Sequence, residues 1–263
     1  MTAVAAALAA LAAGRPVLVA DDASRENEVD VVVAAQDVDA ATVAWVVRHS
    51  SGYLCAPMPA ARADALDLPL MVEKNEDSLR TAYTVPVDAA VGVSTGISAA
   101  DRARTLRVLA DPDATPGDLI RPGHVLPLRA RPGGVLERTG HTEAAVDLVR
   151  LAGRGEVGLI AELVHDDGDM LRLDDARRLA AAKGLVLITV AELVAWRREH
   201  DPLGTAAGTT AGTAAEAAAD DVPADAVAGD RVEQVAEAAL PTRHGAFRLH
   251  AFRDRRTGAE HVA

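Results

Sequence analysis

An acidic segment between two apolar stretches carries the densest cluster of reactive side chains in the sequence. Residues 21–30 read Asp-Asp-Ala-Ser-Arg-Glu-Asn-Glu-Val-Asp. If the backbone is extended from Arg25, the two-residue period of a strand places Glu26, Glu28 and Asp30 on one face. Three such carboxylates repel each other unless a cation lies among them, and oxygen ligands suit Mg²⁺ or Mn²⁺. The segment is a candidate metal site, although a solvated acidic turn has the same composition.

A second candidate site lies just before a predicted helix. Residues 138–143 read Arg-Thr-Gly-His-Thr-Glu. A helix N-terminus offers backbone N–H groups and a positive dipole end, which suit a phosphate group. Gly140 permits close approach of a ligand to the backbone, Thr142 could cap the helix, and Arg138 could pair with phosphate. His141 could bind a metal ion, and an ordinary capped helix with a surface histidine is the alternative.

Two single residues are candidates because of their surroundings, and a third, the cysteine, is expected to be structural. Glu162 lies in an apolar stretch, where a carboxylate is costly unless it is paired or functional; an exposed edge strand is the alternative. His124 follows Arg-Pro-Gly and could transfer protons, since an imidazole titrates near pH ~6.5, although a lone loop histidine is more often just solvated. Cys55, the only cysteine, is expected to be a buried structural thiol.

The elements that must position these residues alternate along the chain. Apolar periodicity predicts helices over residues 3–13, 39–50, 59–66, 98–109, 142–152, 174–183 and 191–198. It predicts strands over residues 16–20, 28–35, 53–56, 81–87, 125–128, 157–164 and 185–190. Residues 111–123 contain three prolines and two glycines and are predicted to be a loop. The pattern favours an α/β or α+β fold, a three-layer α/β/α domain around a mixed twisted sheet.

Composition changes near residue 200. Residues 1–200 form the predicted domain. Residues 201–230 are rich in Ala, Gly, Thr and Asp, which is typical of a flexible, disordered linker. Residues 231–263 regain some pattern and predict a short β fragment, too short to build a core of its own.

The charge and cysteine content narrow the classes of partner. The 263 residues carry a formal net charge of −12, which disfavours binding to a nucleic-acid backbone. No apolar run is long enough to span a bilayer, and the apolar run at 3–13 lacks the basic residues of a signal peptide. A single cysteine excludes an internal disulfide and a cysteine zinc site, which fits a cytoplasmic protein.

Taken together, these segments resemble the 3,4-dihydroxy-2-butanone 4-phosphate synthase family. The matching pieces, in the family's order over residues 3–198, are Asp-Asp-x-x-Arg-Glu-Asn-Glu-x-Asp at 21–30, Thr-Gly-Ile-Ser-Ala-Ala-Asp-Arg at 95–102, Arg-Pro-Gly-His at 121–124, Arg-x-Gly-His-Thr-Glu-Ala at 138–144, and Glu162. The resemblance implies a lyase that converts D-ribulose 5-phosphate into L-3,4-dihydroxy-2-butanone 4-phosphate and formate in riboflavin biosynthesis. It also implies a homodimer whose active sites are built from both subunits.

The resemblance also implies roles for individual residues. Glu26 and His141 match the family's ligands for Mg²⁺ or Mn²⁺, with two ions expected per active site. His124 and Glu162 match positions essential for catalysis, and Asp30 and Glu28 join them as candidates for the proton transfers. The metal would stabilise the enediolate formed when C3 of the substrate loses its proton. The positions that match the substrate-binding residues are Arg25, Glu26, Asp30, Arg138, Thr139, Gly140, His141, Thr142 and Glu162.

Two features depart from the family's usual pattern. Val29 stands where the family usually has glycine, which would matter if the loop required a positive φ there. Residues 231–263 resemble the first strands of GTP cyclohydrolase II, without that enzyme's zinc-binding cysteines. One alternative is therefore a truncated record of a bifunctional synthase and cyclohydrolase. Another is a non-catalytic phosphate-binding module, in which the carboxylates of residues 26, 28 and 30 would not converge with His141.

Overall fold

The chain is described here by a computed structural model covering residues 2–201, 232–242, 245–254 and 260–262. Its contacts divide it into two compact units, Met1–Gly204 and Thr205–Ala263. The strands of the first unit are β1 (Val17–Ala20), β2 (Val29–Ala34), β3 (Cys55–Pro59), β4 (Val87–Ala89), β5 (Leu119–Ala130), β6 (Gly158–Glu162) and β7 (Val186–Thr189). Its helices are α1 (Ala3–Ala12), α2 (Ala40–His49), α3 (Ala60–Ala65), α4 (Ala99–Ala110), α5 (His141–Leu151), α6 (Leu173–Lys183) and α7 (Val190–His200).

These strands form one seven-stranded sheet in the order β4-β5-β3-β6-β2-β1-β7. Strand β1 pairs antiparallel with β2 and parallel with β7, and β3 pairs parallel with β5 and antiparallel with β6. The sheet is therefore mixed, as the sequence predicts, because its connections include both a short β1–β2 turn and longer helical crossovers.

Successive side chains along each strand point to opposite faces of the sheet, so the core consists of two parts, each covered by a layer of helices. Val31 and Val33 of β2 pack with α2, α4 and α6, whereas Val32 packs on the opposite face with α1, α5 and α7. Leu106 on α4 lies in the first layer and Leu148 on α5 lies in the second, and both side chains are fully buried. This arrangement confirms the predicted three-layer α/β/α architecture.

Two predicted elements are wrong in part. The strand predicted over 81–87 forms only isolated bridges at Tyr83 and Thr84, and regular pairing begins at Val87. The loop predicted over 111–123 instead contains the start of β5, which pairs with β4 through a register shift. A Cβ atom on Gly123 would overlap the backbone of Val87, so the Arg-Pro-Gly segment permits a close strand approach that local composition does not reveal.

The second unit contains an antiparallel sheet in the order β10-β9-β8, formed by Val232–Thr242 (β8), Gly245–Asp254 (β9) and Glu260–Val262 (β10). These strands lie where the sequence predicts a β fragment. The linker predicted over 201–230 lies outside the described residues, apart from Asp201. Within the described residues, no helix is both long and apolar enough to cross a membrane.

Candidate metal and substrate site

The loop between β1 and β2 is folded around the carboxylate of Asp21. This carboxylate accepts hydrogen bonds from the backbone N–H groups of Glu26 (3.0 Å) and Glu28 (2.9 Å). It also accepts one from Nη1 of Arg25 at 3.0 Å. The backbone is therefore turned, and not extended from Arg25 as the sequence analysis assumed, because a buried carboxylate gathers the N–H groups of the turn.

The residue with left-handed backbone in this loop is Asn27, with φ of 56°, and not Val29. Asparagine tolerates this region better than other side chains. Val29 begins β2, pairs with Ala20 and is 1% exposed in the core. A valine at this position is therefore compatible with the loop, and the departure from the family's usual glycine does not distort the acidic cluster.

One pocket gathers most of the predicted site residues. It is lined, among others, by Arg25, Glu26, Glu28, Asp30, Arg138, His141, Thr142 and Glu162. Asp30 and Glu162 are direct partners in the β2–β6 register, and β6 is the middle strand of the sheet. The edge-strand alternative for Glu162 is therefore wrong. Its Oε2 atom accepts a hydrogen bond from Oγ of Ser51 at 2.7 Å.

The imidazole of His141 is oriented by the backbone of β1. Its Nε2 lies 3.1 Å from the carbonyl oxygen of Val19, and because a carbonyl only accepts, Nε2 carries a hydrogen. Its Nδ1 lies 3.5 Å from Oε2 of Glu26 and 3.7 Å from Oδ1 of Asp30. In the neutral ring the lone pair is thus on Nδ1 and faces the carboxylates, as in a metal-binding histidine.

Burial and crowding shift the proton affinities of these groups. Burial raises the pKa of Asp30 to about 7, and the neighbouring carboxylates add to the shift. Burial opposes protonation of His141, but the charges of Asp30 and Glu26 outweigh it and raise the pKa of His141 to about 9. Burial also acts against the charge of Glu26, yet His141 and Arg25 keep its pKa below the ordinary value. The excess of carboxylates in the cluster therefore favours a bound positive charge, either a proton or a metal cation.

The donor set fits a hard divalent cation. Oδ1 of Asp30 is buried and has no hydrogen-bond partner within the described residues. Ligand atoms of Asp21, Glu26 and His141 lie within 4.8 Å of one another. Two atoms bound at right angles to Mg²⁺, each about 2.1 Å from it, are roughly 3 Å apart. Because Asp21 is already occupied by three hydrogen bonds, Glu26 and His141 are the better ligands, with Asp30 beside them.

The N-terminus of α5 borders the same pocket. The helix begins at His141, Gly140 is its N-cap, and no side chain caps it. The predicted start at Thr142, with Thr142 as a cap, is therefore wrong, because Ala144 N–H already bonds to the Gly140 carbonyl at 2.9 Å. A Cβ atom on Gly140 would overlap the guanidinium of Arg138. The N–H groups at the start of α5 and the guanidinium of Arg138 thus lie close together. This combination suits a phosphate group.

Arg138 is held by three different groups. It donates to Oε2 of Glu143 (2.6 Å), to the Leu79 carbonyl (3.2 Å) and to Oγ1 of Thr81 (3.2 Å). Thr139 is exposed, and neither it nor the buried Gly140 lines the pocket.

His124 does not line this pocket. Its backbone N–H donates to Oδ1 of Asp88 at 2.9 Å, and its Nδ1 lies 2.7 Å from Oδ2 of the same carboxylate. Neither Asp88 nor Asp21 was predicted to be a functional residue. The sequence contained only a weak indication for Asp21, because it is an aspartate at the point where a predicted strand is followed by a turn. Asp88 contacts a residue 36 positions away, which no local pattern reveals.

These features define a class: an α/β protein with a candidate cation site of carboxylates and an imidazole beside a candidate anion site at a helix N-terminus. The family model for 3,4-dihydroxy-2-butanone 4-phosphate synthase matches residues 5–196, and the chain belongs to this family. The family assignment made from the motifs is thereby confirmed.

Curated relatives extend the similarity along nearly the whole chain. Riboflavin biosynthesis protein RibBA of Salinispora arenicola is 52% identical over 257 residues, covering 98% of this chain and 54% of the relative. The protein of the same name from Mycobacterium tuberculosis is 46% identical over 259 residues, again covering 98% and 54%. The chain therefore spans about half the length of these relatives.

Solved structures show the same fold. A crystal structure of 3,4-dihydroxy-2-butanone 4-phosphate synthase in complex with two magnesium ions is 45% identical, with a TM-score of 0.74, covering 76% of this chain and 99% of that chain. The two-domain synthase RibBX from A. baumannii is 33% identical, with a TM-score of 0.76, covering 99% and 68%.

Proposed function

We propose that this chain is a lyase that converts D-ribulose 5-phosphate into L-3,4-dihydroxy-2-butanone 4-phosphate and formate in riboflavin biosynthesis. The observation that carries the proposal is the convergence of Glu26, Asp30 and His141 in one pocket beside the N-terminus of α5. Family membership supports it, and so does the match to 99% of the length of a synthase of known structure. The convergence argues against a non-catalytic phosphate-binding module.

Glu26 and Nδ1 of His141 would hold Mg²⁺ or Mn²⁺, and the two magnesium ions in the related synthase favour two ions per site. When bound, the cation would polarise the C2 carbonyl and stabilise negative charge on its oxygen during proton removal from C3. Asp30 would support this cluster through its unpartnered buried oxygen.

The substrate phosphate would lie against the N-terminus of α5. Its negative charge would be met by Arg25, Arg138 and the backbone N–H groups of residues 139, 141 and 142. The sugar chain would then extend toward Asp30, Glu28 and Glu162, which are the candidates for proton transfer in the pocket.

His124 would act from a second subunit. Its side chain is 40% exposed and lies outside the pocket of its own chain, while the family resemblance places it among the essential residues. A homodimer in which His124 of one subunit completes the site of the other would reconcile these observations. We further propose that the dimer works in the cytoplasm, binds no nucleic acid and uses residues 1–200 as its synthase domain.

A second candidate function concerns the rest of the molecule. The similarity to the riboflavin biosynthesis relatives reaches beyond residue 196 and covers about half of their length. This favours a chain that represents part of a longer bifunctional protein, with residues 231–263 as a partial segment similar to GTP cyclohydrolase II that follows a linker over 201–230. A longer reading frame would distinguish this candidate from a single-function synthase.

Formate release from ribulose 5-phosphate tests the proposed activity. We expect the full chain to release formate in the presence of Mg²⁺, and we expect formate release to stop when a chelator is added. Glu26→Gln is expected to lower turnover at least about 100-fold, because the amide cannot replace the charged ligand. The control is Glu199→Gln, whose side chain is 78% exposed, and which should keep full activity. Near wild-type turnover in Glu26→Gln would contradict the assignment of the metal site.

A further inference from the structure

We infer that Arg172 is a positioning residue for the metal site, because its guanidinium holds the turn from which Glu26 reaches the pocket. The inference rests on the proposed function, in which Glu26 binds the cation. It adds a residue that lies 146 positions from Glu26 in the sequence and does not line the pocket itself.

The side chain of Arg172 donates hydrogen bonds to two adjacent backbone carbonyls of the turn. Its Nη1 atom lies 3.2 Å from the carbonyl oxygen of Glu26, and the same atom donates to the carbonyl oxygen of Asn27. These carbonyls belong to the peptide groups on either side of Asn27, whose backbone is left-handed with φ of 56°. A left-handed residue other than glycine persists only where surrounding contacts hold it, and Arg172 supplies two such contacts.

Asp21 and Arg172 hold the turn through opposite types of backbone group. The carboxylate of Asp21 accepts hydrogen bonds from the N–H groups of Glu26 (3.0 Å) and Glu28 (2.9 Å), whereas Arg172 donates to carbonyls. A carboxylate bonds only donors and a guanidinium bonds only acceptors, so neither residue can replace the other. Glu26 is therefore held at both its N–H and its carbonyl, which fixes the direction in which its side chain leaves the turn toward His141.

The backbone of Arg172 is anchored outside the turn. The N–H of Leu171 donates to the carbonyl of Leu163, just after β6, at 2.9 Å. Arg172 is then the N-cap residue of α6, and its carbonyl accepts the N–H of Ala176 at 2.9 Å. Because both attachments are to the sheet and to a helix, the side chain restrains the turn and does not simply follow its movement.

The hydrogen bonds and the charge of Arg172 have opposite effects on a cation in the pocket. Burial raises the pKa of Glu28, and the charge of Arg172 is among those that oppose this shift, so the charge acts on the acidic cluster. That positive charge repels a bound cation, weakly, because Arg172 is exposed and screened by solvent. Loss of the charge alone would therefore strengthen metal binding slightly, whereas loss of the two hydrogen bonds would weaken it.

Arg172→Met tests the inference, because methionine removes both hydrogen bonds and keeps a flexible apolar stem. Titration calorimetry of the full chain with Mn²⁺, in the absence of substrate, measures the affinity. We expect the affinity to fall roughly 10-fold, as is typical when a group that orients a metal ligand is removed. Arg172→Lys should recover part of this loss, because one ammonium group can donate to both carbonyls. In formate assays, the defect of Arg172→Met should be largest at low Mg²⁺ and decrease toward saturation.

Arg177→Met is the matched control. Arg177 lies on α6, its side chain is 61% exposed, and within the described residues it bonds to Asp174 at 2.8 Å and not to the turn. The control removes the same charge from the same helix, so it should keep the wild-type affinity for Mn²⁺. Hydrogen exchange gives a second readout: the amides of residues 26–28 should exchange faster than in wild type only in Arg172→Met.

An Mn²⁺ affinity of Arg172→Met that is unchanged or higher, or an equal loss in Arg177→Met, would overturn the inference. Glu26→Gln separates this failure from a failure of the proposed function. If Glu26→Gln also binds Mn²⁺ as wild type does, the metal assignment itself is wrong; if it binds weakly and Arg172→Met does not, the inference alone is wrong. Arg172→Gln, whose side chain is too short to reach both carbonyls, gives the same measurement if Arg172→Met fails to fold.

Discussion

Asp30 and His141 share a site in which negative charge exceeds positive charge. With the pKa of Asp30 raised to about 7 and that of His141 raised to about 9, the metal-free cluster retains a proton on the imidazole at neutral pH. A divalent cation bound through Nδ1 must displace this proton. Cation binding and proton release are therefore coupled at the level of these two side chains.

Metal affinity is expected to depend on pH with a definite sign. Because the pKa of His141 is raised above 6.5, its proton opposes cation binding below pH 9, and affinity should increase as pH rises from 7 to 9. Release of one proton corresponds to about a tenfold change per pH unit. Titration calorimetry with Mn²⁺ in buffers of different ionisation enthalpy measures both quantities. His165→Gln should keep the slope, and a wild-type affinity independent of pH would contradict this account.

Residue types alone predicted the members of this cluster but not its backbone. The carboxylates at 26, 28 and 30 were expected to align by strand periodicity, whereas Glu26 reaches the pocket from a turn organised by Asp21. Val29 likewise could not be judged from the sequence, because its φ depends on where the turn ends. A turn stabilised by one buried carboxylate is a local feature, yet several turns are compatible with the same residues.

Helix α5 connects the site to the rest of the domain. Asp147 on α5 accepts a hydrogen bond from Val135 N–H at 2.8 Å and from Nη1 of Arg197 on α7 at 2.6 Å. Arg197 also donates to the Gly133 carbonyl at 3.1 Å. The turn that leads to Arg138 is thus held between two helices by a buried ion pair.

Arg197→Met is expected to destabilise the domain by about 3–5 kcal/mol, because it leaves the buried carboxylate of Asp147 without its charged partner. Burial already raises the pKa of Asp147, which shows how poorly this environment solvates the charge. Urea unfolding followed by circular dichroism measures the change. Arg198→Met, at the exposed neighbouring position, should change stability by less than about 0.5 kcal/mol. Equal stability of the two variants would exclude a structural role for the pair.

At the scale of elements, periodicity was sufficient wherever a helix or strand is amphipathic and regular. It located α5, β2 and β6, and therefore the places where the site residues meet. It failed at β4 and the start of β5, because their pairing depends on contact between segments about 30 residues apart. The Asp88–His124 contact lies in this part of the sheet and was missed for the same reason.

At the scale of the whole molecule, interleaved helices and strands were enough to predict a layered domain, and the motif set was enough to predict its family. The position of His124 outside the pocket of Glu26 and His141 was not predictable, because the sequence gives no distance between His124 and that pocket. This separation is the main reason to propose that two subunits share each active site.

Glu26 and His141 are proposed to bind one cation beside a sugar-phosphate site. Crystals of the full chain grown with Mn²⁺ and ribulose 5-phosphate, measured at the manganese absorption edge, test it most directly. We predict an anomalous peak about 2.2 Å from a Glu26 carboxylate oxygen and from Nδ1 of His141, with the substrate phosphate against the N-terminus of α5. Manganese bound elsewhere, with Glu26 and His141 free of metal, would contradict the account.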